Sequence, residues 1–401
     1  MDAPIDRRRF LQTTAAVTAS AVCARAAFGH APPRPDSGRV LVMLELAGGN
    51  DGLNVLVPYA HDAYAEARGS LALTSQELLR IDDEVGLHPA LTGLKAIHDA
   101  GALAWVEGVG YPEPIRSHFL SMDVWHAGRL DGRRGGSGWL ARLVDHLAAD
   151  VDDPNLLVAL GARVPFSCDG GEHRAVAFAK PADYRLVAAG DETKTLDSAV
   201  SSTQVSERAR AFLRRAYLDA RASSDVVRKA VADYVPSAKY PSSALASDLR
   251  TVAALIAGGV STRVFSLQLG GFDTHNGQRA RQQRLLAELG DALHAFHSDL
   301  EAARLADRVL VVGYSEFGRR VAANASGGTD HGAAGLAFLL GGGVKSGLYG
   351  ARPALDRLDD NGDLKFTTDF RRVYATAIGP WLGGDARVVL GEAHEPLRCL
   401  A

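Results

Sequence analysis

Cysteine is nearly missing from this chain. There are three among 401 residues, and one of them, Cys23, lies close to the N-terminus. Cys168 and Cys399 could pair in an oxidising compartment, but two cysteines do not make a disulfide scaffold. No C-x-x-C spacing occurs, which excludes the usual cysteine-based structural zinc sites. Long apolar runs are missing too. Beyond the N-terminal segment none is long enough to span a bilayer, so an integral membrane protein is not expected. Basic charge is not in excess: 44 Lys and Arg stand against 47 Asp and Glu, a net charge of -3. That balance excludes nucleic acid as an expected partner. No internal repeat is found, which excludes solenoids and propellers.

What is present begins with an address. Asp6-Arg7-Arg8-Arg9-Phe10-Leu11 reads as a twin-arginine export signal, followed by a small-residue apolar stretch from Thr13 to Val22. Ala24-Arg25-Ala26 offers an A-x-A cleavage site. Val22 before Cys23 argues against a lipoprotein signal. Residues 1–26 are therefore expected to be a signal peptide, with the twin-arginine translocase as partner during export. The expected location is the periplasm or beyond it. A chance basic N-terminus is the plain alternative. That translocase carries folded proteins, which suits a protein that takes up metal before export. Residues 27–37 form a linker containing Pro32, Pro33 and Pro35, and residues 38–401 the main domain. Removing the four arginines and two aspartates of the leader takes the net charge from -3 to -5.

The run Val40 to Leu46 reads as a buried strand that breaks at Ala47-Gly48-Gly49. Near-continuous apolar runs fit a parallel sheet covered on both faces. Leu91 to His98 suggests a helix, Leu103 to Val109 a strand, and Ser117 to His126 a helix after the loop Tyr111-Pro112-Glu113-Pro114. From Arg129 to about Leu245 the pattern loosens, with helical segments near Arg208–Asp219 and Val226–Tyr234. This stretch, 129–245, is read as a largely helical cap insertion. Regular alternation then returns: helix Leu249–Ala257, strand Thr262–Leu269, helix Gln282–Leu305, strand Arg308–Val312, strand Ala337–Leu340 and helix Asp369–Leu382. Strands alternating with helices predict an α/β fold with a mainly parallel central sheet and helices on both faces.

Candidate ligands recur where strands give way to loops: Asn50 and Asp51 in GGNDG, Asp273 and His275 in GGFDTH, Glu316 in YSEFGR, and Asp330 and His331 in GGTDHG. In an open parallel sheet such points converge on one edge. Asp273 and His275 are two apart, so in extended backbone their side chains point the same way and can share a metal. A hydrogen-bonded loop pair explains them as well. Glu316 fits either a ligand or an ordinary strand-end carboxylate. Arg319 and Arg320 could pair with it or hold an anionic oxyacid; a surface salt bridge is as good a reading of Arg320. Asn50 is explained equally by turn geometry. Ser117-His118 opens a helix, whose free amides favour anions. Ser117 is then either a nucleophile or an N-cap.

The order of these motifs resembles the alkaline phosphatase superfamily, which includes sulfatases, cofactor-independent phosphoglycerate mutases and nucleotide pyrophosphatases. More closely, RRxFL, GGNDGLN, RSHF, GGFDTH, SEFGR, TDHG and the closing DFRRVYA resemble the secreted bacterial family called domain of unknown function 1501. The resemblance covers nearly all of the chain after the leader. It implies an alkaline-phosphatase-like domain and two divalent metal ions, for which a carboxylate-and-imidazole set suits Zn, Mn, Fe or Ca. By that resemblance Asp51 and Glu316 serve one metal, and Asp273, His275 and His331 the other. Phe317 stands where the superfamily places a histidine, so the first half-site lacks an imidazole. The nucleophile slot falls on His118 rather than Ser117. His118 is then the missing ligand, with Ser117 or a water attacking, or catalysis has been lost.

The resemblance thus implies an exported metal-dependent hydrolase of phosphate or sulfate esters, acting on a small anionic ester. Ser117, His118 and Arg319 are its candidate catalytic residues. A non-catalytic secreted binding or scaffold protein on a hydrolase-like fold is the alternative.

Overall fold

The computed structural model describes residues 38–132, 136–184 and 206–401. The export signal, the cleavage site and the linker lie outside the described residues. Twelve strands are described: β1 Val40–Ala47, β2 Leu56–Val57, β3 Leu79–Arg80, β4 Gly86–Leu87, β5 Leu103–Gly110, β6 Leu157–Leu160, β7 Val176–Phe178, β8 Val264–Gly270, β9 Val309–Tyr314, β10 Gly335–Gly341, β11 Gly347–Tyr349 and β12 Thr368–Asp369. The α-helices are α1 Asp62–Arg68, α2 Thr92–Asp99, α3 His118–Ala127, α4 Trp139–Leu147, α5 Glu207–Asp233, α6 Ala244–Ala257, α7 Gln278–Ala302, α8 Phe370–Thr376 and α9 Ala386–Leu390.

The main sheet runs β11-β5-β10-β9-β1-β8-β6-β7, with β12 also on β5. β8, β1 and β9 pair in parallel, and β10 is antiparallel to both β9 and β5. The result is the mainly parallel sheet that the sequence predicts. A second, small sheet is formed by β2, β4 and β3.

Both faces of the main sheet are covered, and β1 shows how. Val40, Val42, Leu44 and Leu46 pack with residues of α2, α6 and α7, whereas Leu41 and Met43 pack with residues of α3, α4 and α8. Side chains alternate across a strand, so a run that is apolar at every position buries both faces. That double burial is why the run Val40–Leu44 is unbroken before the buried Glu45.

The segment 129–245, read from the sequence as a largely helical cap, also feeds the main sheet. β6 pairs in parallel with β8, and β7 with β6. These strands are four and three residues long, too short for a period to register. The two helical patches expected within 208–234 are one helix, α5. Cys168 and Cys399 are buried free thiols. No helix among the described residues is long and apolar enough to cross a membrane.

Parallel pairing places the C-terminal ends of β1, β8 and β9 on one edge of the sheet. β5 also ends there, and the reversed strand β10 begins there. The segments 48–51, 271–275, 315–319, 111–118 and 329–334 therefore all meet at that edge.

Candidate metal centre

Three imidazoles and one carboxylate converge at this edge. His118, Asp273 and His331 offer ligand atoms that all lie within 4.8 Å of one another. His275 joins them: its Nε2 is 3.1 Å from Asp273 Oδ1 and 3.0 Å from His331 Nε2. His331 Nε2 is 3.2 Å from Asp273 Oδ1, and His118 Nε2 is 3.5 Å from Asp273 Oδ2.

The other nitrogen of each ring has a fixed acceptor. His118 Nδ1 lies 2.7 Å from Glu316 Oε1, His275 Nδ1 lies 3.1 Å from Asp330 Oδ1, and His331 Nδ1 lies 2.8 Å from the Arg116 carbonyl. A carbonyl or ionised carboxylate can only accept, so each Nδ1 must carry the proton. Each Nε2 is then left to face the cluster, the arrangement in which an outer acceptor sets the tautomer of a metal-ligating histidine. His118 Nε2 is buried with no hydrogen-bond partner.

Glu316 therefore meets the cluster through His118. It is almost wholly buried, and its oxygens also accept from the Gly48 amide at 2.9 Å and the Ser315 hydroxyl at 3.0 Å. Burial raises its pKa, but the bond from His118 and the backbone amides outweigh that and hold it below the usual glutamate range. In return the Glu316 bond raises the pKa of His118 against the effect of burial. Burial also raises Asp273, yet the bond from Arg319 and the nearby His331 and His275 rings prevail and bring it down to about 2. Asp330 is lowered first by its bond to His275. Three carboxylates, Glu316, Asp273 and Asp330, thus gather here, with the Arg319 guanidinium on Asp273 and the Arg320 guanidinium acting on Asp330. With neutral imidazoles the carboxylates still outnumber the guanidiniums, and the net negative charge suits a cation.

Asp51 stands apart from this set. It is buried, and both oxygens are engaged by Arg68 of α1, one of them at 2.8 Å. The Gln278 amide donates to the same carboxylate. A guanidinium thus occupies the space beside Asp51 that the sequence reading gave to a first metal. Asn50 lies just before it, with its amide donating to Ser315 Oγ at 2.8 Å.

Arg319 is placed differently from the substrate-holding role suggested by the sequence. It is fully buried, and all three of its nitrogens donate within the protein. Its acceptors include the carbonyls of Gly49 at 2.7 Å, Thr329 at 2.8 Å and Phe272 at 3.1 Å, and Asp273 Oδ1 at 2.7 Å. It is a clamp across three loops. Arg320 turns the other way, toward Asp363, which is also held by Arg116 at 2.5 Å.

Phe317 lies beneath the imidazoles, with its ring centroid 4.9 Å from His118 and 4.8 Å from His331. Gly49 makes room for that ring. Its φ is +68°, and a Cβ there would lie 2.4 Å from the Phe317 edge. Ser117 is the N-cap of α3, but its hydroxyl makes no capping hydrogen bond.

The cluster thus brings together His118, Asp273, His275 and His331, with Glu316 one atom shell behind. Sequence reasoning names Asp330 only as a candidate ligand, whereas it aims His275, and does not single out the Arg116 carbonyl behind His331 or Ser121, whose hydroxyl donates to the Glu316 carbonyl at 2.6 Å. The adjacency of Asp330 and His331 was the one available signal. A backbone carbonyl leaves none.

No curated protein matches this sequence. Solved structures similar to it include PsFucS1 sulfatase from Pseudoalteromonas sp., at 10% identity over 89% of this chain and 72% of that chain, with a TM-score of 0.38. A protein in the alkaline phosphatase superfamily from Vibrio parahaemolyticus is similar at 11% identity, over 89% and 70% of the two chains, with a TM-score of 0.35. The C-terminal periplasmic domain of EcEptC from Escherichia coli, in complex with Zn, is similar at 11% identity over 77% and 74%, with a TM-score of 0.34. A family model described as protein of unknown function (DUF1501) matches residues 39–390, and the chain belongs to that family.

Proposed function

We propose that His118, Asp273, His275 and His331 hold one divalent cation and that the protein is an exported hydrolase of phosphate or sulfate esters. One observation carries the metal reading. The Nε2 atoms of His275 and His331 are 3.0 Å apart while both Nδ1 atoms face acceptors. Two lone pairs at that distance repel, so a proton or a cation belongs between them. The buried, partnerless Nε2 of His118 and the net negative charge favour a cation. Three histidines and an aspartate suit Zn, Mn or Fe better than Ca, which prefers an all-oxygen shell.

A bound divalent ion supplies Lewis acidity and lowers the pKa of water. The chain's own residues do the rest. Glu316 and Asp330 keep the protons on Nδ1 of His118 and His275. Arg319 holds Asp273 in its ionised form. Phe317 keeps water out from below. The first amides of α3 point toward the same edge and favour an anionic group there. Ser117, the N-cap whose hydroxyl makes no capping bond, is the candidate nucleophile at that helix start.

The test is metal analysis of purified protein together with a screen of phosphate and sulfate esters. Stoichiometric metal with turnover lost in His275→Ala supports the reading. Correctly folded protein that takes up no divalent ion sinks it. A second reading, a binding protein without catalysis, draws on the closure of Asp51 by Arg68, which leaves one ion site rather than a pair. It predicts metal uptake with no turnover of any ester.

The address is part of the same proposal. The leader 1–26 is read as directing the folded protein through the twin-arginine translocase, and 129–245 as an insertion that caps the 38–401 domain. Replacing Arg7 and Arg8 with Lys should retain the protein in the cytoplasm. Unchanged fractionation into the periplasm would exclude this route.

A further inference from the structure

We infer that Gln278 sets the spacing of the metal ligands through the hydroxyls of Thr274 and Thr329, although it touches neither the ion nor a substrate. This rests on the reading of the cluster as a metal centre. Gln278 is fully buried at the first position of α7. Its Oε1 accepts from Thr329 Oγ1 at 2.7 Å and from Thr274 Oγ1 at 3.0 Å. Thr274 is the residue between the ligands Asp273 and His275. Thr329 lies two before His331, and its amide donates to the Thr274 carbonyl at 3.2 Å. One amide oxygen therefore binds the two loops that deliver three of the four ligands.

The other end of the amide is fixed with equal care. Its Nε2 donates to Asp51 Oδ2 at 2.5 Å and to Gln282 Oε1 at 3.3 Å. A flipped amide would set its oxygen against the Asp51 carboxylate, so Asp51 decides the orientation. Asp51 is held in turn by Arg68. Gln282 continues the network to the Asp51 carbonyl at 3.1 Å. All four hydrogen-bonding positions of the Gln278 amide are filled inside the protein. Buried networks of this kind fix a single arrangement because each unmet bond is costly. Asp51, outside the ligand set, thus acts on the cluster from a distance. Gln278 is a positioning residue, and its effect should appear in coordination geometry as well as in stability.

The experiment is Co2+ titration of the purified full protein, reading the dissociation constant and the visible absorption spectrum. The variants are Thr274→Val and Thr329→Val, which delete a hydroxyl at nearly constant shape, their serine counterparts, and Gln278→Leu. Each valine variant should weaken Co2+ by about 10-fold and shift the visible bands. Gln278→Leu should weaken it by up to about 100-fold, the span seen for outer-shell partners of metal ligands. The serine variants keep the donor and should match the native affinity and spectrum. Folded valine variants with native affinity and spectrum overturn the inference even if Gln278→Leu fails to fold. Native protein that binds no Co2+ overturns the metal reading and this inference together. Native binding with unaltered valine variants overturns this inference alone.

Discussion

Each imidazole in the cluster is aimed by one acceptor, so each acceptor is a lever on metal affinity. Glu316→Gln and Asp330→Asn keep shape but weaken the hold on Nδ1 of His118 and His275. Either change should lower metal affinity by about 10-fold to 100-fold, read by competition with a chelator. Phe317 is a different kind of residue. It stands where the superfamily resemblance calls for a histidine, yet its ring supports His118 and His331 from below. Phe317→His would bury an imidazole without a partner at this position and should destabilise the fold by about 1–3 kcal/mol in urea unfolding. Gly49→Ala has no room for its methyl and meets a positive φ as well. It should cost more than about 1 kcal/mol.

At the scale of elements, α3 carries His118 at its first position, with Ser117 as its N-cap. Several bonds dock the helix, three of them along its length. Ser121 donates to the Glu316 carbonyl at 2.6 Å, Tyr374 donates to the Trp125 carbonyl at 3.1 Å, and His126 Nε2 lies 2.8 Å from Glu45 Oε2. The first of these joins the helix to the residue that aims its own histidine. Ser121→Ala should therefore cost about 1 kcal/mol of stability and weaken metal binding beyond what that cost explains. Titration of folded Ser121→Ala with Zn2+ checks it; native affinity would show that α3 is docked without this bond. The strands at the edge do the rest of the placing. β1, β8 and β9 are parallel neighbours, so the turns that follow them lie side by side. The reversed strand β10 brings His331 to the same edge from its N-terminal side.

For the whole molecule, pH dependence has a component outside the site. Burial pushes the Asp248 carboxyl on α6 up to about 6. The sign follows from linkage. A carboxyl that binds its proton more tightly in the folded state makes stability fall as pH rises from about 3.8 to about 6, after which the loss is complete. Asp248→Asn removes that loss. The variant should melt higher than native protein at pH 7 to 8 and alike at pH 3, measured by thermal unfolding across pH. A native-like melting temperature at pH 7 would mean that Asp248 is solvated.

Much of this architecture is written locally. Val40–Leu44 and Val309–Val312 are apolar at every position because both sheet faces are covered there, Val264–Leu269 is apolar at four of six, and glycines at their ends mark the turns. From those turns the sequence alone places Asp273, His275 and His331 near one edge and holds His118 in reserve as a ligand. β6 and β7 escaped notice because a three- or four-residue strand carries no period. Tertiary structure alone decided the partners. Glu316 reaches His118 across 198 positions, and Asp51 is met by Gln278 across 227. Even Arg68, only 17 positions from Asp51, pairs with it through the return of α1 and not through any local spacing. Periodicity fixes which residues face a core. Which buried charge meets which depends on how elements dock, and that is why Asp51 meets Arg68 and Gln278 while Asp273, His275 and His331 gather with His118.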